Sequence, residues 1–122
     1  MPIRYRIQSN ILILELAGEY SKEDLRQLIH TALDDTTLPD KPLVLFDFSS
    51  SVGIFHRSSA DVKEMARFLA SVKHRLGQRV AFYAPHDLPF GLMRMGTAAS
   101  DTEGLATEVF RSKEEALAWL RS

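Results

Sequence analysis

Serine hydroxyls at the start of a predicted helix are candidates for covalent modification. Ser58 and Ser59 stand where that helix begins. A serine at such a place caps the helix by accepting a hydrogen bond from a free backbone N–H. The same hydroxyl can be phosphorylated, and the positive end of the helix dipole would stabilise the added charge. Capping and phosphorylation are compatible, so both serines are candidate phosphoacceptors.

A carboxylate ends the buried strand that precedes these serines. Asp47 occupies the kind of position at which phosphoryl-acceptor aspartates are found, at the end of a central strand. The supporting motif is missing, because Phe48 and Ser49 follow where a second acid would stand, and no acidic pair ends an earlier strand. We therefore expect Asp47 to order the loop by accepting hydrogen bonds from the backbone amides of residues 49–51.

The loop between that strand and the helix carries apolar side chains, which cost solubility unless they are covered. Ile54 and Phe55 either fold back onto the domain or form a contact surface for a partner protein, a second copy of the chain or an apolar ligand. His56 and Arg57 follow directly. The stretch 54–57 is therefore a candidate partner-binding segment.

The remaining reactive residues form no recognisable catalytic or metal-binding set. The sequence has no cysteine, no glycine-rich phosphate loop and no Gly-x-Ser-x-Gly elbow. Its four histidines show no metal-ligand spacing, and they are His30, His56, His74 and His86. Arg94 is a minor candidate for anion binding near the loop. We expect a protein that is not an enzyme and that uses no metal and no cofactor.

The bulk composition limits the function classes further. The chain has 122 residues, 45% of them hydrophobic and 25% charged, which suits one domain over residues 1–122. A net charge of −1 and a pI near 6.4 supply no basic excess for a phosphate backbone, so we expect no nucleic-acid partner. The apolar runs are too short to span a membrane, and the N-terminus lacks a signal core. We expect a cytoplasmic protein.

The strands that must position these residues follow from hydrophobic periodicity. Alternation over residues 3–7 predicts a half-buried edge strand. A turn at Ser9-Asn10, in which Asn10 tolerates a left-handed backbone, leads into a buried strand over 11–16. Further strands are predicted over 43–48, 79–84 and 107–110.

Helices are predicted between these strands. Ser21 with Asp24, and Ser112 with Glu115, form capping boxes ahead of the first and last helices. The second helix is predicted to run to about Leu76, where a C′ glycine follows, and the third begins near residue 87. The resulting order, ββαβαβαβα, predicts an α/β fold with an open mixed sheet that is mostly parallel.

This order and several short motifs resemble the STAS domain, and within it the SpoIIAA-like family of small stand-alone bacterial proteins. The resemblance covers the whole chain and implies the SpoIIAA-like architecture, in which the helices wind as a short right-handed superhelix. The motifs are Gly18-Glu19-Tyr20-Ser21, Leu45-Phe46-Asp47, Ser58-Ser59, Phe90-Gly91-Leu92-Met93-Arg94-Met95, Val109-Phe110 and Ala116-Leu117-Ala118-Trp119-Leu120.

The resemblance also implies a function. The best understood members of the domain family are anti-anti-sigma factors, non-enzymatic regulators that bind a partner kinase and are switched by phosphorylation of a serine at the start of the second helix. Ser58 matches that position, whereas Arg57 and Ala60 stand where the anti-anti-sigma pattern has Asp and Gly. The SpoIIAA-like branch has also been likened in shape to lipid-exchange domains of the CRAL-TRIO type.

These observations lead to two hypotheses from different classes. The first is a non-enzymatic regulatory module that binds a protein partner, such as a kinase or an anti-sigma-like factor, through the loop and the start of the second helix. The second is a carrier or sensor of a lipid or other small apolar ligand held between sheet and helices. A homodimer would cover the predicted edge strands at 3–7 and 107–110.

Overall fold

Within the residues that the structure describes, five strands and four helices follow one another in the predicted order. The computed structural model describes residues 3–52, 54, 57–77, 79–102 and 104–122, without the side chains of 99–102. The elements are β1 (Ile3–Gln8), β2 (Ile11–Gly18), α1 (Lys22–Leu33), β3 (Leu43–Ser51), α2 (Ser59–Ser71), β4 (Val80–Tyr83), α3 (Asp87–Thr102), β5 (Thr107–Phe110) and α4 (Lys113–Arg121). None of the helices described is long and apolar enough to cross a membrane.

The strands form one mixed sheet in which the spatial order equals the chain order, from β1 to β5. β1 pairs antiparallel with β2, and the remaining neighbours are parallel. Because successive parallel strands step in one direction, right-handed crossovers place α1, α2 and α3 on the same face. The open, mostly parallel α/β sheet predicted from the sequence is confirmed.

Each face of the sheet has its own core. On the face covered by α1, α2 and α3, neighbouring strands contribute Leu14, Phe46 and Phe82, each at most 5% exposed. On the other face α4 packs Ala116 and Leu120 against the sheet residues Ile13, Leu45 and Ala81. Burial on both faces explains the nearly unbroken apolar runs of β2 and β3.

The helix starts depend on local hydrogen bonds. Ser21 and Asp24 form the complete capping box predicted ahead of α1. The hydroxyl of Ser112 accepts a hydrogen bond from the Glu115 N–H at 3.4 Å, which is the serine half of the box predicted ahead of α4. Short-range polar contacts therefore determine the residue at which each of these helices begins.

Two turns differ from the sequence prediction. The left-handed residue between β1 and β2 is Ser9, with φ of 55°, and not Asn10. α2 ends at Ser71 and a short 3₁₀ turn follows, so the α-helix does not reach Leu76. Gly77 does not stop it as a left-handed C′ residue; its N–H donates to the Pro42 carbonyl at 2.6 Å, and a Cβ there would lie 2.7 Å from a backbone oxygen.

Candidate functional site

The carboxyl end of β3 and the first turn of α2 form an exposed surface. Ligands of open α/β sheets usually bind beyond the carboxyl ends of the parallel strands, where the helices begin. We call it the β3–α2 surface, and its exposed residues are Val52, Ser58, Ser59 and Ala60. Val52 is 47% exposed, so the surface offers an apolar side chain in addition to the hydroxyl groups of Ser58 and Ser59.

Ile54 anchors the loop from below and does not contribute to the exposed surface. Its side chain is 4% exposed and belongs to the main core, which is the folded-back alternative of the two left open by the sequence. Its N–H donates to the hydroxyl of Ser51 at 3.3 Å. The candidate residues Phe55 and His56 lie outside the residues that the structure describes.

A buried hydrogen bond between Tyr20 and Ser51 fixes the point where β3 ends. The two hydroxyl oxygens are 2.7 Å apart, and Ser51 is 3% exposed. Burial raises the pKa of Tyr20, because the charged phenolate is poorly solvated inside the domain. The phenol therefore stays protonated and neutral at physiological pH, and the pair acts as a fixed polar contact under the loop.

Arg57 ties the far end of the loop to the segment between β2 and α1. Its guanidinium donates to the Tyr20 carbonyl oxygen at 2.7 Å and lies 5.4 Å from the centroid of the Tyr20 ring. This geometry combines a charge-assisted hydrogen bond with a cation–π contact. Arg57, predicted as a partner-binding residue, is half-buried and faces its own domain as well as solvent.

Ser58 is the N-cap of α2, and Ser59 is its first helical residue. The Ser58 hydroxyl accepts from the Asp61 N–H at 3.2 Å, and the Asp61 carboxylate accepts from the Ser58 N–H at 2.9 Å. The capping role predicted for Ser58 or Ser59 thus falls on Ser58. Both hydroxyl groups remain exposed.

Sequence reasoning missed an ion network that joins α1 to the first turns of α2. Lys22 Nζ lies 3.0 Å from Asp61 and 3.3 Å from Glu64, and Arg26 also pairs with Glu64. The backbone N–H of Ser58 and the Lys22 ammonium lower the pKa of Asp61 to about 2. The sequence did contain a signal for this network. Lys22 and Arg26 lie four residues apart on one helix, and the acids Asp61 and Glu64 lie three residues apart on the next.

Asp47 orders the end of β3 from the opposite face of the sheet. Its carboxylate accepts hydrogen bonds from the Ser49 N–H at 2.9 Å and the Ser49 hydroxyl at 2.6 Å. Of the three amides predicted to donate to Asp47, the Ser49 N–H is the one in a described hydrogen bond, and Ser49 lies within β3 and not in a loop. The ammonium of Lys113 on α4 lies 4.0 Å away, and Glu15 stands beside Asp47 in the sheet register. The arrangement balances two neighbouring carboxylates with basic side chains.

An apolar cavity of about 50 Å³ lies between the sheet and the helices, directly beneath the β3–α2 surface. The sheet contributes Phe46, Phe48 and Phe82 to its lining, and α2 contributes Val62 and Met65. Lys22, Arg57 and Asp61 supply polar atoms. The cavity is much smaller than the roughly 300–1,000 Å³ typical of small-molecule sites.

The described residues contain no group of three or more His, Asp or Glu side chains that could hold a metal ion. His30 contacts Phe68 edge-on, with 5.3 Å between ring centroids, and is exposed on α1. Arg94, the minor candidate for anion binding, is exposed on α3. Neither residue joins the β3–α2 surface in a described contact.

A comparison with family models and a comparison with solved structures lead to the same fold. A family model described as SpoIIAA-like matches residues 11–121. Among solved structures, this chain is similar to an uncharacterized protein of the DUF3478 family with a SpoIIAA-like fold from Shewanella loihica PV-4. The two share 21% sequence identity with a TM-score of 0.59, over 97% of this chain and 91% of that one. No protein with a curated description matches the sequence.

Proposed function

Because this chain belongs to the SpoIIAA-like family, we propose that it acts as a STAS-type regulatory module that binds a protein partner and performs no catalysis. The proposed contact is the β3–α2 surface, and the proposed location is the cytoplasm. A kinase or an anti-sigma-like factor is the partner class that the family resemblance favours. We treat the whole chain, residues 1–122, as one domain.

The observation that carries this proposal is an exposed surface on a fixed base. Underneath, Ile54 is buried, Ser51 binds the Tyr20 hydroxyl, and Arg57 binds the Tyr20 carbonyl. Above, the exposed groups are hydroxyls and the side chain of Val52. A surface held in this way loses little conformational entropy when a partner binds, which favours recognition.

Phosphorylation of Ser58 would change the charge at the centre of this surface. The phosphate would stand next to the ionised carboxylate of Asp61, which already accepts the Ser58 N–H. It would compete for Lys22, which holds Asp61, and for the adjacent Arg57, which holds the Tyr20 carbonyl. We therefore propose that phosphorylation weakens the anchor of the loop and lowers partner affinity.

Affinity purification with matched variants tests the surface. The tagged wild-type chain is compared with Val52→Asp and Ser59→Arg by quantitative mass spectrometry of the captured proteins. Both substitutions lie on the β3–α2 surface at exposed positions, so we expect the specific partner to be depleted at least about tenfold. The matched control is Ala118→Asp, which adds a charge at an exposed position on α4.

Equal capture by the wild type, both surface variants and the control would refute the assignment of the surface. Two further variants test the switch separately. Ser58→Asp keeps an N-cap oxygen and adds charge, whereas Ser58→Ala removes the cap without adding charge. We expect weaker partner binding for Ser58→Asp alone, and binding by Ser58→Asp at the wild-type level would contradict the proposed switch.

A small-ligand carrier is the second candidate, and the apolar cavity beneath the surface is the observation that favours it. At about 50 Å³ the cavity would have to open before it admitted a lipid chain. Native mass spectrometry of the protein purified from cells separates the two candidates. A bound apolar molecule that is displaced in Val62→Trp, which fills the cavity lining, supports the carrier; a ligand-free mass supports the interaction module.

A further inference from the structure

The outer face of α3 differs from the outer faces of the other helices. Among the described residues, three large hydrophobic side chains are exposed, and two of them lie on α3. They are Leu88, at 51%, and Met95, at 40%. The exposed positions of α1, α2 and α4 carry charged, polar or alanine side chains. Two exposed hydrophobic side chains that share one helix face make that face a candidate contact with another molecule.

The exposed residues of α3 form one continuous face with a glycine at its centre. At 3.6 residues per turn they cover about 120° of the helix circumference. Gly91 lies in the middle, Leu88 and Met95 lie on one flank, and Asp87 and Arg94 lie on the other. Apart from Ala98, no other residue of α3 with a described side chain is exposed.

The fold itself does not require a glycine at this position. A Cβ on Gly91 would meet nothing within 4 Å, whereas a Cβ on Gly96 of the same helix would lie 3.0 Å from Val62. A glycine inside a helix costs about 1 kcal/mol relative to alanine. Gly91 therefore weakens α3 without an internal packing benefit, and a bare backbone at the centre of the face lets a second helix approach closely.

We propose that α3 is a self-association surface, through which two copies of the chain pair their α3 helices antiparallel about a two-fold axis level with Gly91. This symmetry places each flank opposite the same flank of the second copy. With a rise of about 1.5 Å per residue, Asp87 then lies within about 1.5 Å, along the axis, of Arg94 of the second copy. Leu88 is brought level with Met95 in the same way.

Charge complementarity favours a second copy of the chain over an unrelated partner. In this pairing Asp87 of each copy meets the oppositely charged Arg94 of the other copy, which gives two symmetric contacts. None of the described hydrogen bonds and ion pairs uses the Arg94 guanidinium. Asp87 lies 2.7 Å from Arg111 within the chain, but 92% of its side chain stays exposed and can receive a second cation. A self-complementary face is what a two-fold dimer requires.

The dimer is expected to be weak. The face comprises about three turns of one helix, which is less than the roughly 800 Å² that each partner buries in a standard interface. Association should therefore depend on protein concentration. It uses a helix face separate from the β3–α2 surface, so its test does not depend on the proposed function.

Sedimentation equilibrium with charge-reversal variants tests the proposal. The wild-type chain should dimerise reversibly below about 1 mM. Asp87→Lys and Arg94→Glu each place like charges opposite one another, so each variant alone should associate at least about tenfold more weakly. An equimolar mixture of the two should regain dimers, because the introduced lysine and glutamate then face each other in one contact and the native Asp87–Arg94 pair forms the other. Recovery in the mixture also shows that both variants are folded.

The matched control is Ala118→Glu, which adds a charge at an exposed position on α4, outside both proposed surfaces, and should leave dimerisation unchanged. A wild-type chain that stays monomeric up to about 1 mM overturns the proposal. Dimers that persist in both charge variants would assign association to another surface, such as a sheet edge, and would overturn it too. Loss of dimers in both variants without recovery in the mixture would contradict the antiparallel register.

Discussion

Asp61 links the start of α2 to α1, and replacing it with asparagine removes its charge while keeping its shape. In the wild type its carboxylate accepts the Ser58 N–H at 2.9 Å and lies 3.0 Å from Lys22 Nζ. An asparagine oxygen can still accept the backbone N–H, so Asp61→Asn isolates the contribution of the negative charge. That charge interacts with Lys22 and with the helix dipole.

The lowered pKa of Asp61 sets the size of the effect. A fall of the pKa from its usual 3.8 to about 2 corresponds, at about 1.36 kcal/mol per unit, to roughly 2 kcal/mol of folding stability. The side chain is 25% exposed and solvent screens its ion pair, so we expect a loss of about 1 kcal/mol at pH 7. Because the folded pKa is the lower one, this stability is present above about pH 4 and is lost as the pH falls through 2.

Urea denaturation of the wild type and Asp61→Asn between pH 7 and pH 2 measures this contribution. The free energies of unfolding should differ at neutral pH and converge at low pH. Asp24→Asn is the matched control, because Asp24 holds the equivalent capping position of α1 and forms no described ion pair with another helix. A difference for Asp61→Asn that equals the control, or one that persists unchanged to pH 2, would refute the reasoning.

The remaining predictions concern single contacts, each measured by urea denaturation of the monomer at low concentration. Gly77→Ala should cost more than about 2 kcal/mol, because its Cβ would lie 2.7 Å from a backbone carbonyl, whereas Gly91→Ala should add about 0.5–1 kcal/mol. The opposite signs check the two glycine assignments. Ser58→Ala should cost about 1 kcal/mol and Ser59→Ala less than about 0.5, and equal losses would contradict the capping assignment. Tyr20→Phe should cost about 1–2 kcal/mol through the buried hydroxyl pair, and an unchanged midpoint would contradict its role.

The sheet and helices could be predicted from the sequence because their signals are local or periodic. The apolar run of 43–48 continues through a strand buried on both faces, and α4 spaces its inward residues at helical intervals. Ser21 and Asp24 lie three residues apart, so the hydrogen bonds that begin α1 are specified within one turn. The order of elements then left few topologies open.

The candidate site could be located but not described in detail, because its contacts join distant parts of the chain. The burial of Ile54 depends on a hydrogen bond from its N–H to Ser51 and on a core built by other elements. Irregular backbone has no period from which the direction of a side chain can be read. Position 77 requires a glycine because of its contact with Pro42, which lies in a loop distant along the chain. The network of Lys22 and Asp61 likewise depends on how two helices pack.

Hydrogen–deuterium exchange of the chain with and without its captured partner tests the central claim most directly. If the β3–α2 surface recognises the partner, the backbone amides of residues 49–62 should exchange more slowly in the complex, while those of α4 stay unchanged. Protection confined to α4 or to the β1 edge, with unchanged exchange over 49–62, would contradict the account.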